Sequence, residues 1–269
     1  MKVTIITTCF NAEKSIEKTI ESVLEQTYCD FEYVITDGGS KDKTVAIAKS
    51  YEDKFKERNI PFAVYEEPDK GIYDGMNHGV AHAKGNYICF MNADDTFFDE
   101  NVLNDIFSNH EYPENAILYG DAAELEYGEY YYFTKDFSKI KEKMPFSHQS
   151  VFAAKSLLEK FPLNLKYKIA ADYDFLINCY LDKASFIDVN RLVCVVSKDG
   201  VSSVNLYDCF LESENMLKAH GIERYSEKAL KKKLFFLRIR QLGMDYLPAF
   251  IKKAAERDAS FLKMRERSN

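Results

Sequence analysis

The chain has 269 residues, of which 46% are hydrophobic and 29% charged, and its net charge is −7. A chain of this length can form a sizeable hydrophobic core without disulfides or structural metals. The charge is unevenly spread, because residues 224–269 hold 13 Lys and Arg against 5 Asp and Glu, a balance of +8 that leaves −15 for residues 1–223. An acidic body repels polyanions, so we expect no nucleic-acid partner.

The cysteine spacing indicates a protein with reduced cysteines. The apolar runs are not typical of a membrane-spanning segment. None of the six cysteines has metal-ligand spacing, and Cys89 and Cys194 lie inside apolar runs. We expect all six to be reduced and structural. The first ten residues are typical of a strand rather than a secretion signal, and the longest apolar run, residues 234–251, is interrupted by charges and Pro248. We therefore expect a cytoplasmic protein.

Strands and helices alternate over the first 91 residues. The β-branched run at residues 3–8 is typical of a strand buried on both faces. Apolar residues after Asn11 recur at helical spacing, which predicts a helix capped by Asn11, and Ser40 is predicted to cap the next helix. The alternation predicts an α/β fold with a parallel sheet, whose functional groups collect at the carboxyl ends of the strands. Further strands are predicted at residues 31–36, 62–65 and 87–91, and a helix at residues 73–83.

The pattern is looser after residue 115. We predict one α/β domain over residues 1–204, divided into halves at residues 1–95 and 96–204, and a helical extension over residues 205–269. In the second half the predicted strands are residues 117–119, 129–133, 151–153, 186–189 and 193–197, with a helix at 173–181. In the extension the predicted helices are residues 206–219, 226–242 and 247–265.

Carboxylates follow two of the predicted strands. Asp37 comes after the second strand, and Asp94 and Asp95 come after the fourth. These ends lie at the same edge of a parallel sheet, and adjacent Asp94 and Asp95 repel each other unless a positive charge lies nearby. Mn²⁺ or Mg²⁺ suits such oxygen ligands and leaves positions for phosphate. The alternative is that the pair only caps the turn, but the strand context and Asp37 favour the metal.

These residues also carry a resemblance. The stretches TIITTCFNAEKSIEKTIESVLEQTY, FEYVITDGGSKDKT, EPDKGIYDGMNHGVAHAKGNYICFMNADD, FSHQSVF and AADYDF occur in order over residues 4–175. Together they resemble family 2 of the inverting glycosyltransferases, especially bacterial members that build O-antigen, capsule and exopolysaccharide. The resemblance implies the GT-A fold, a Rossmann-like, mostly parallel central sheet flanked by helices. It makes residues 1–95 the nucleotide-binding half and residues 96–204 the acceptor-side half.

For the donor, the resemblance implies a nucleotide diphosphate-sugar. Asp37 would hydrogen-bond the base, Asp94 would contact the ribose side, and Asp95 would bind the metal that bridges the diphosphate. We prefer UDP because Asp37 can accept from a uracil N–H, although thymine presents the same group. The backbone lining the same pocket would be that of Thr8, Cys9 and Phe10.

The segment DKGIYDG is predicted to close over the donor sugar, or alternatively to be only a glycine-rich turn that opens a helix. Its contacts would be Asp69, Lys70 and Asp74. Many family members have an Arg-Asn pair in the following helix, where this chain has Met76 and Asn77. Asn77 is therefore assigned to the donor site, and charge compensation at the phosphates is expected from Lys70 or the metal.

For the transfer step, Asp172 matches the catalytic base of the resemblance. The family's Glu-Asp pair reads Ala171-Asp172 here, so the preceding acid is missing. A general base removes the proton of an acceptor hydroxyl as the new bond forms. His148 is predicted to donate to the diphosphate or the acceptor, or alternatively to be structural. The acceptor is expected to be a saccharide or a lipid-linked saccharide.

The tail mixes basic and apolar residues at helical spacing. This pattern favours either contact with anionic lipid headgroups or packing on the acidic body. Three other functions are weighed. An oxidoreductase needs a GxGxxG turn after the first strand, and a nucleotidyltransferase needs a glycine-rich basic loop; both are missing. A non-catalytic partner that retained the donor site is the remaining alternative, against which the intact Asp172 argues.

Overall fold

A computed structural model describes residues 2–126, 129–133, 135–197 and 206–246. The chain divides into two compact units, Met1–Lys198 and Asp199–Asn269. The domain boundary predicted after residue 204 and the helix predicted at residues 247–265 lie outside the described residues.

The first half of unit 1 is a parallel sheet in the order β3-β2-β1-β4. Every residue of β1 and β2 is buried, as continuous β-branched runs require when helices cover both faces. The register pairs Cys9 at the end of β1 with Asp37 at the end of β2. The strands are β1 Val3–Cys9, β2 Phe31–Asp37, β3 Phe62–Glu66 and β4 Tyr87–Phe90.

The helices of this half begin later than the predicted caps. Helix α1 spans Ile16–Leu24, α2 Thr44–Lys49, α3 Glu52–Glu57 and α4 Ile72–His82. Asn11 has φ of 50°, and its Oδ1 accepts from Lys41 N at 2.8 Å. Ser40 Oγ accepts from Asn11 N at 2.7 Å. The predicted caps were wrong because these two side chains tie the loops after β1 and β2 to each other.

Beyond β4 the sheet is mixed. Its order continues β4-β8-β6-β9-β5, with β7 paired to β6. Strand β8 is antiparallel to both neighbours, and β6 runs parallel to β9. The elements are β5 Thr96–Phe97, α5 Val102–Phe107, β6 Ala116–Glu126, β7 Glu129–Phe133, β8 Val151–Ala154, α6 Lys155–Lys160, α7 Ala171–Leu181 and β9 Ser185–Val196.

One long strand, β9, replaces the two strands predicted at residues 186–189 and 193–197. Asn190 lies within it with φ of 48°, and the register against β6 shifts near Gly120. A Cβ at Gly120 would lie 2.4 Å from the Arg191 carbonyl oxygen, so only glycine fits beside this irregularity. The strand is thus irregular but unbroken, and its end pairs with β5.

Unit 2 contains helices α8, Leu206–Ala219, and α9, Glu227–Tyr246. Between them, Arg224 forms an ion pair with buried Glu214 and lies over the rings of Phe210 and Tyr225. None of the described helices is long and apolar enough to cross a bilayer.

Candidate active site

Asp37 organises the loop that follows β2. The residue is 1% exposed, and its Oδ2 accepts from Gly39 N at 2.9 Å and Ser40 N at 2.8 Å. Its Oδ1 faces the Cys9 thiol at 3.7 Å, a weak donor. The acceptor capacity left on Asp37 is therefore on Oδ1.

A cleft of about 480 Å³ opens beside this loop. Burial first, and then the charge of Asp37, raise the pKa of the Cys9 thiol, so Cys9 is a neutral wall and no nucleophile. At the opening, Phe10 is 63% exposed and Ile72 is 42% exposed. The cleft is lined by Thr8, Cys9, Phe10, Gly38, Asp69, Gly71 and Ile72.

The loop before α4 brings Asp69 into this cleft. Asp69 Oδ1 accepts from Gly71 N at 2.9 Å. A Cβ at Gly38 would lie 2.5 Å from Asp69 Oδ2, and one at Gly75 would lie 2.8 Å from the same atom. Glycine at both positions therefore allows the Asp69 carboxylate to approach the backbone.

Lys70, Asp74 and Asn77, the other predicted donor contacts, are placed differently. Lys70 is exposed, and its backbone N–H donates to Asp74 Oδ2 at 3.0 Å. Asn77 does not line the cleft: its Nδ2 donates to the Leu163 carbonyl at 2.8 Å, and its Oδ1 accepts from Leu163 N at 3.0 Å. Asn77 thus ties α4 to the segment that leads to α7.

Asp94 and Asp95 have opposite environments. Asp95 is 2% exposed, with Oδ1 accepting from Ser197 N and Oδ2 from Gln149 Nε2, each at 2.9 Å. Burial first, and then the charge of Asp94, raise the pKa of Asp95 to about 6, although both hydrogen bonds oppose the rise. Asp94 is exposed, and its Oδ2 accepts from Ser197 Oγ at 2.6 Å. Asp95 anchors the turn, and Asp94 presents the accessible carboxylate.

A divalent metal fits this edge of the sheet only if water and a bound ligand complete its coordination. Over the described part of the chain, no three His, Cys, Asp or Glu side chains converge on a common point. Mg²⁺ is usually held by one or two carboxylates with water and substrate phosphates completing the shell. The exposed Asp94 matches that requirement, whereas Asp95 is only 2% exposed.

Asp172 lies in the first turn of α7. Its Oδ1 accepts from Tyr173 N at 2.8 Å. The hydroxyl of Tyr73, which donates to the Ile169 carbonyl at 2.6 Å, is 3.3 Å from the same oxygen. The other oxygen of Asp172, Oδ2, lies 3.1 Å from His148 Nδ1. The predicted base is therefore held from α4, from its own helix and from His148.

His148 connects Asp172 to the loop of Asp94. Its Nε2 is 3.2 Å from Asn92 Nδ2, two residues before Asp94. Burial alone would lower the pKa of His148, but the hydrogen bond and charge of Asp172, with the charge of Asp95, outweigh burial and raise the pKa. The sequence predicted His148 as a contact to the diphosphate or the acceptor, or as a structural residue, but no sequence pattern indicated its pairing with Asp172. The same is true of the bonds from Gln149 and Ser197 to Asp95.

The family follows from comparison with known sequences. The sequence model described as glycosyl transferase family 2 matches residues 4–164. The chain belongs to this family. It is 31% identical over 182 residues to a PGL/p-HBAD biosynthesis glycosyltransferase of Mycobacterium bovis (strain BCG / Pasteur 1173P2), covering 67% of this chain and 70% of the relative. The expected family and transferase class are confirmed.

Solved structures confirm the GT-A fold of this family 2 glycosyltransferase. The S. aureus TarS fragment 1–349 bound to UDP-GlcNAc has a TM-score of 0.63 at 19% identity, covering 87% of this chain and 70% of that one. The mannosyltransferase PcManGT from Pyrobaculum calidifontis, in complex with GDP-Man and Mn²⁺, has a TM-score of 0.60 at 17% identity, covering 98% and 80%.

Proposed function

We propose that this glycosyltransferase moves a sugar from a nucleotide diphosphate donor, preferably UDP, to a saccharide hydroxyl, with inversion and with Mn²⁺ or Mg²⁺. One observation carries the proposal. Contacts of 3.1 Å and 3.2 Å join Asp172 through His148 to Asn92, so the base and the accessible carboxylate Asp94 belong to one edge of the sheet. A base beside a metal-binding carboxylate is the arrangement that transfer from a diphosphate needs.

The donor base is proposed to enter the cleft between β1 and the loop before α4. Oδ1 of Asp37 retains acceptor capacity for a base N–H, and the exposed ring of Phe10 offers a stacking surface at the opening. The wall is formed by Thr8 and Cys9. UDP-GlcNAc in the TarS complex supports the preference for UDP, and GDP-Man in the PcManGT complex is the reason to test guanine as well.

The metal is proposed to bind Asp94, with Asp95 as the buried anchor beneath it. This assignment revises the sequence-based one, because Asp94 is exposed and accepts a single hydrogen bond from Ser197 among the described residues, whereas Asp95 is 2% exposed and each of its oxygens already accepts a bond. Lys70 and Asp74 flank the loop on the donor side and remain proposed contacts. We leave Asn77 out of the donor site, since it does not line the cleft and its amide bonds the Leu163 backbone through both its nitrogen and its oxygen.

In the transfer step, Asp172 accepts the proton of the acceptor hydroxyl while the acceptor oxygen bonds to the anomeric carbon. The bond from that carbon to the diphosphate breaks, and its electron pair leaves with the diphosphate oxygen. Attack on the face opposite the leaving group inverts the anomeric centre. When bound, the metal neutralises charge that grows on the diphosphate.

Thermal stability with UDP, dTDP, GDP and CDP, each with Mn²⁺ and with chelator, tests the donor site. A ligand that binds only the native state raises the midpoint according to its concentration and affinity. We expect the largest metal-dependent shift with UDP, followed by UDP release from one UDP-sugar. The absence of any shift and of any nucleotide release from the four donor classes would refute the proposal.

We also propose that unit 2 contacts the anionic inner face of the cell membrane, where a lipid-linked acceptor would lie. On α9, Phe235, Phe236 and Ile239 are 63%, 58% and 51% exposed, and Lys231 and Lys232 beside them are exposed too. Aromatic and aliphatic side chains among lysines suit the boundary between headgroups and acyl chains.

Sedimentation with vesicles tests this contact. We expect binding to vesicles containing phosphatidylglycerol, loss of binding in Phe235→Ser with Phe236→Ser, and no effect of the surface change Lys54→Ser in unit 1. Equal recovery of the double variant and the wild type with these vesicles would exclude a membrane role for this face.

A further inference from the structure

The two oxygens of Asp172 have different partners. Oδ1 is used by Tyr173 N at 2.8 Å and faces the Tyr73 hydroxyl at 3.3 Å. Among the described residues, Oδ2 has one partner, His148 Nδ1, at 3.1 Å. A carboxylate oxygen has two lone pairs, so Oδ2 keeps one lone pair after bonding to His148. Oδ2 is therefore the oxygen best able to receive a proton.

The second ring nitrogen of His148, Nε2, has a hydrogen-bond partner in both protonation states of the ring. Nε2 lies 3.2 Å from Asn92 Nδ2, and Asn92 Oδ1 is buried without a hydrogen-bond partner in the described structure. A half-turn of an amide exchanges its nitrogen and oxygen. Asn92 can thus donate to a neutral ring or accept from a charged one, while Nδ1–H faces Asp172 in either case.

The surroundings favour a persistent pair. His148 and Asp172 are 25% and 20% exposed, and both border a small apolar cavity whose wall includes Met76, Val151 and Phe175. An apolar wall strengthens the attraction between a carboxylate and its donor. Ala171, the residue before Asp172, is 0% exposed and contributes no second acid.

We propose that His148 is a positioning residue for Asp172: its Nδ1–H holds Oδ2, which fixes the orientation of the carboxylate and directs the remaining lone pair at the acceptor hydroxyl. This inference rests on the proposed function. In the step, the hydroxyl proton moves to Oδ2 as the glycosidic bond forms and the diphosphate leaves. His148 neither gains nor loses a proton. Its role is to limit the orientations of the base, because the rate of transfer depends steeply on that geometry.

An NMR titration of the histidine rings tests the pair without any turnover. The charged groups that face His148 are Asp172 from α7 and Asp95 from the loop after β4. We expect Asp172→Asn to lower the pKa of His148, because the facing charge and its hydrogen bond are lost. His148→Asn identifies the signal by its disappearance, and the exposed His110→Asn is the matched control. An unchanged His148 pKa in Asp172→Asn would refute the pairing.

Kinetics of nucleotide release to water, an acceptor that needs no identification, test the consequence. We expect His148→Ala to lower kcat about 10- to 100-fold with unchanged donor affinity. His148→Asn keeps a donor near the Nδ1 position and should recover most of the rate. In Asp172→Asn the further change His148→Ala should have almost no effect, because His148 acts through Asp172.

Two results would overturn this role. Weaker donor binding in His148→Ala at normal kcat would make His148 a donor contact, as the sequence alone suggested. Equal losses from His148→Ala in the wild type and in Asp172→Asn would show that it acts independently of the base. A wild-type protein that releases no nucleotide from any donor would refute the proposed function instead, and the NMR result would still decide the pairing.

Discussion

The two halves of the catalytic unit hold their acidic residues in different ways. In the parallel half, Asp37 and Asp69 accept from backbone N–H groups two or three residues further along the chain. In the mixed half, which we take to begin with the loop after β4, Asp95 is held by Gln149 and Ser197, which are 54 and 102 residues away. A short sequence motif is sufficient to build the first arrangement, whereas the second exists only after the sheet has formed.

The difference has a chemical counterpart. Asp69, which a local N–H group holds, lines the cleft proposed for the nucleotide, and Asp37 is buried next to the wall residue Cys9. Asp95, which is held at long range, lies on the side where bonds are proposed to change. Apart from the proposed metal ligand Asp94, changes in the mixed half should therefore leave donor binding intact and lower turnover. The following substitutions test this separation.

The largest effect is expected for Asp172→Asn. The substitution keeps the shape of the side chain but removes the proton acceptor, so we expect transfer to fall about 10²- to 10⁴-fold. The thermal shift with UDP and Mn²⁺ should stay at the wild-type value, because the residue belongs to the mixed half. Nucleotide release and thermal shift are measured on the same preparation. Undiminished transfer would remove Asp172 as the base.

A second test separates Asp94 from Asp95. If Asp94 binds the metal, Asp94→Asn should lose most of the Mn²⁺-dependent part of the UDP shift, with little change in the midpoint of the free protein. Asp95→Asn should retain part of that dependence, since the exposed carboxylate is still present. A complete loss in Asp95→Asn together with a normal shift in Asp94→Asn would restore the sequence-based assignment of Asp95.

Much of the parallel half could be predicted from sequence. The ends of β1 to β4 lie within one residue of prediction, because short apolar runs buried on both faces have few alternatives. The position of Asp37 beside the cleft also follows from the strand that it ends. The helix caps could not be predicted, because Asn11 and Ser40 bond across two loops rather than to the helices they precede.

Substitutions at two glycines of α4 separate effects on the donor site from effects on the hydrophobic core. A Cβ at Gly75 would lie 2.5 Å from Thr8 Cγ2 and 2.8 Å from Asp69 Oδ2, and one at Gly79 would lie 2.5 Å from buried Ile6. We expect Gly75→Ala to weaken UDP binding about tenfold, because displacing Asp69 costs about 1–2 kcal/mol.

Gly79→Ala is the matched control on the same helix. Overpacking against Ile6 should lower the free energy of unfolding by about 1–3 kcal/mol, with UDP affinity of the folded protein unchanged. Calorimetric titration with UDP and thermal melts separate the two effects. Equal UDP affinity in both variants would show that Asp69 does not shape the donor site.

The mixed half was less predictable, for a physical reason. Ser197 reaches Asp94 and Asp95 because β9 is antiparallel to β5, with Val195 opposite Thr96. No local pattern encodes this pairing, and the expected break inside β9 obscured it. Gln149 and His148 lie in a recognisable segment, but their partners Asp95 and Asp172 depend on β8 lying beside β4.

The smallest expected effect concerns the stability contributed by Asp95. Its pKa of about 6 lies above the value of about 4 in an unfolded chain, so the folded protein binds this proton more tightly. The stabilisation from that proton is complete below pH 4 and is lost as the pH rises through 6. Asp95→Asn carries no charge to bury, so without metal it should be more stable than wild type by about 1–2 kcal/mol at pH 7 and equal to it near pH 4. Thermal melts in chelator across this range measure the difference. If the variant were less stable by the same amount at every pH, the pKa of Asp95 would not be shifted by folding, and the bonds from Ser197 and Gln149 would fully offset the cost of burying the charge.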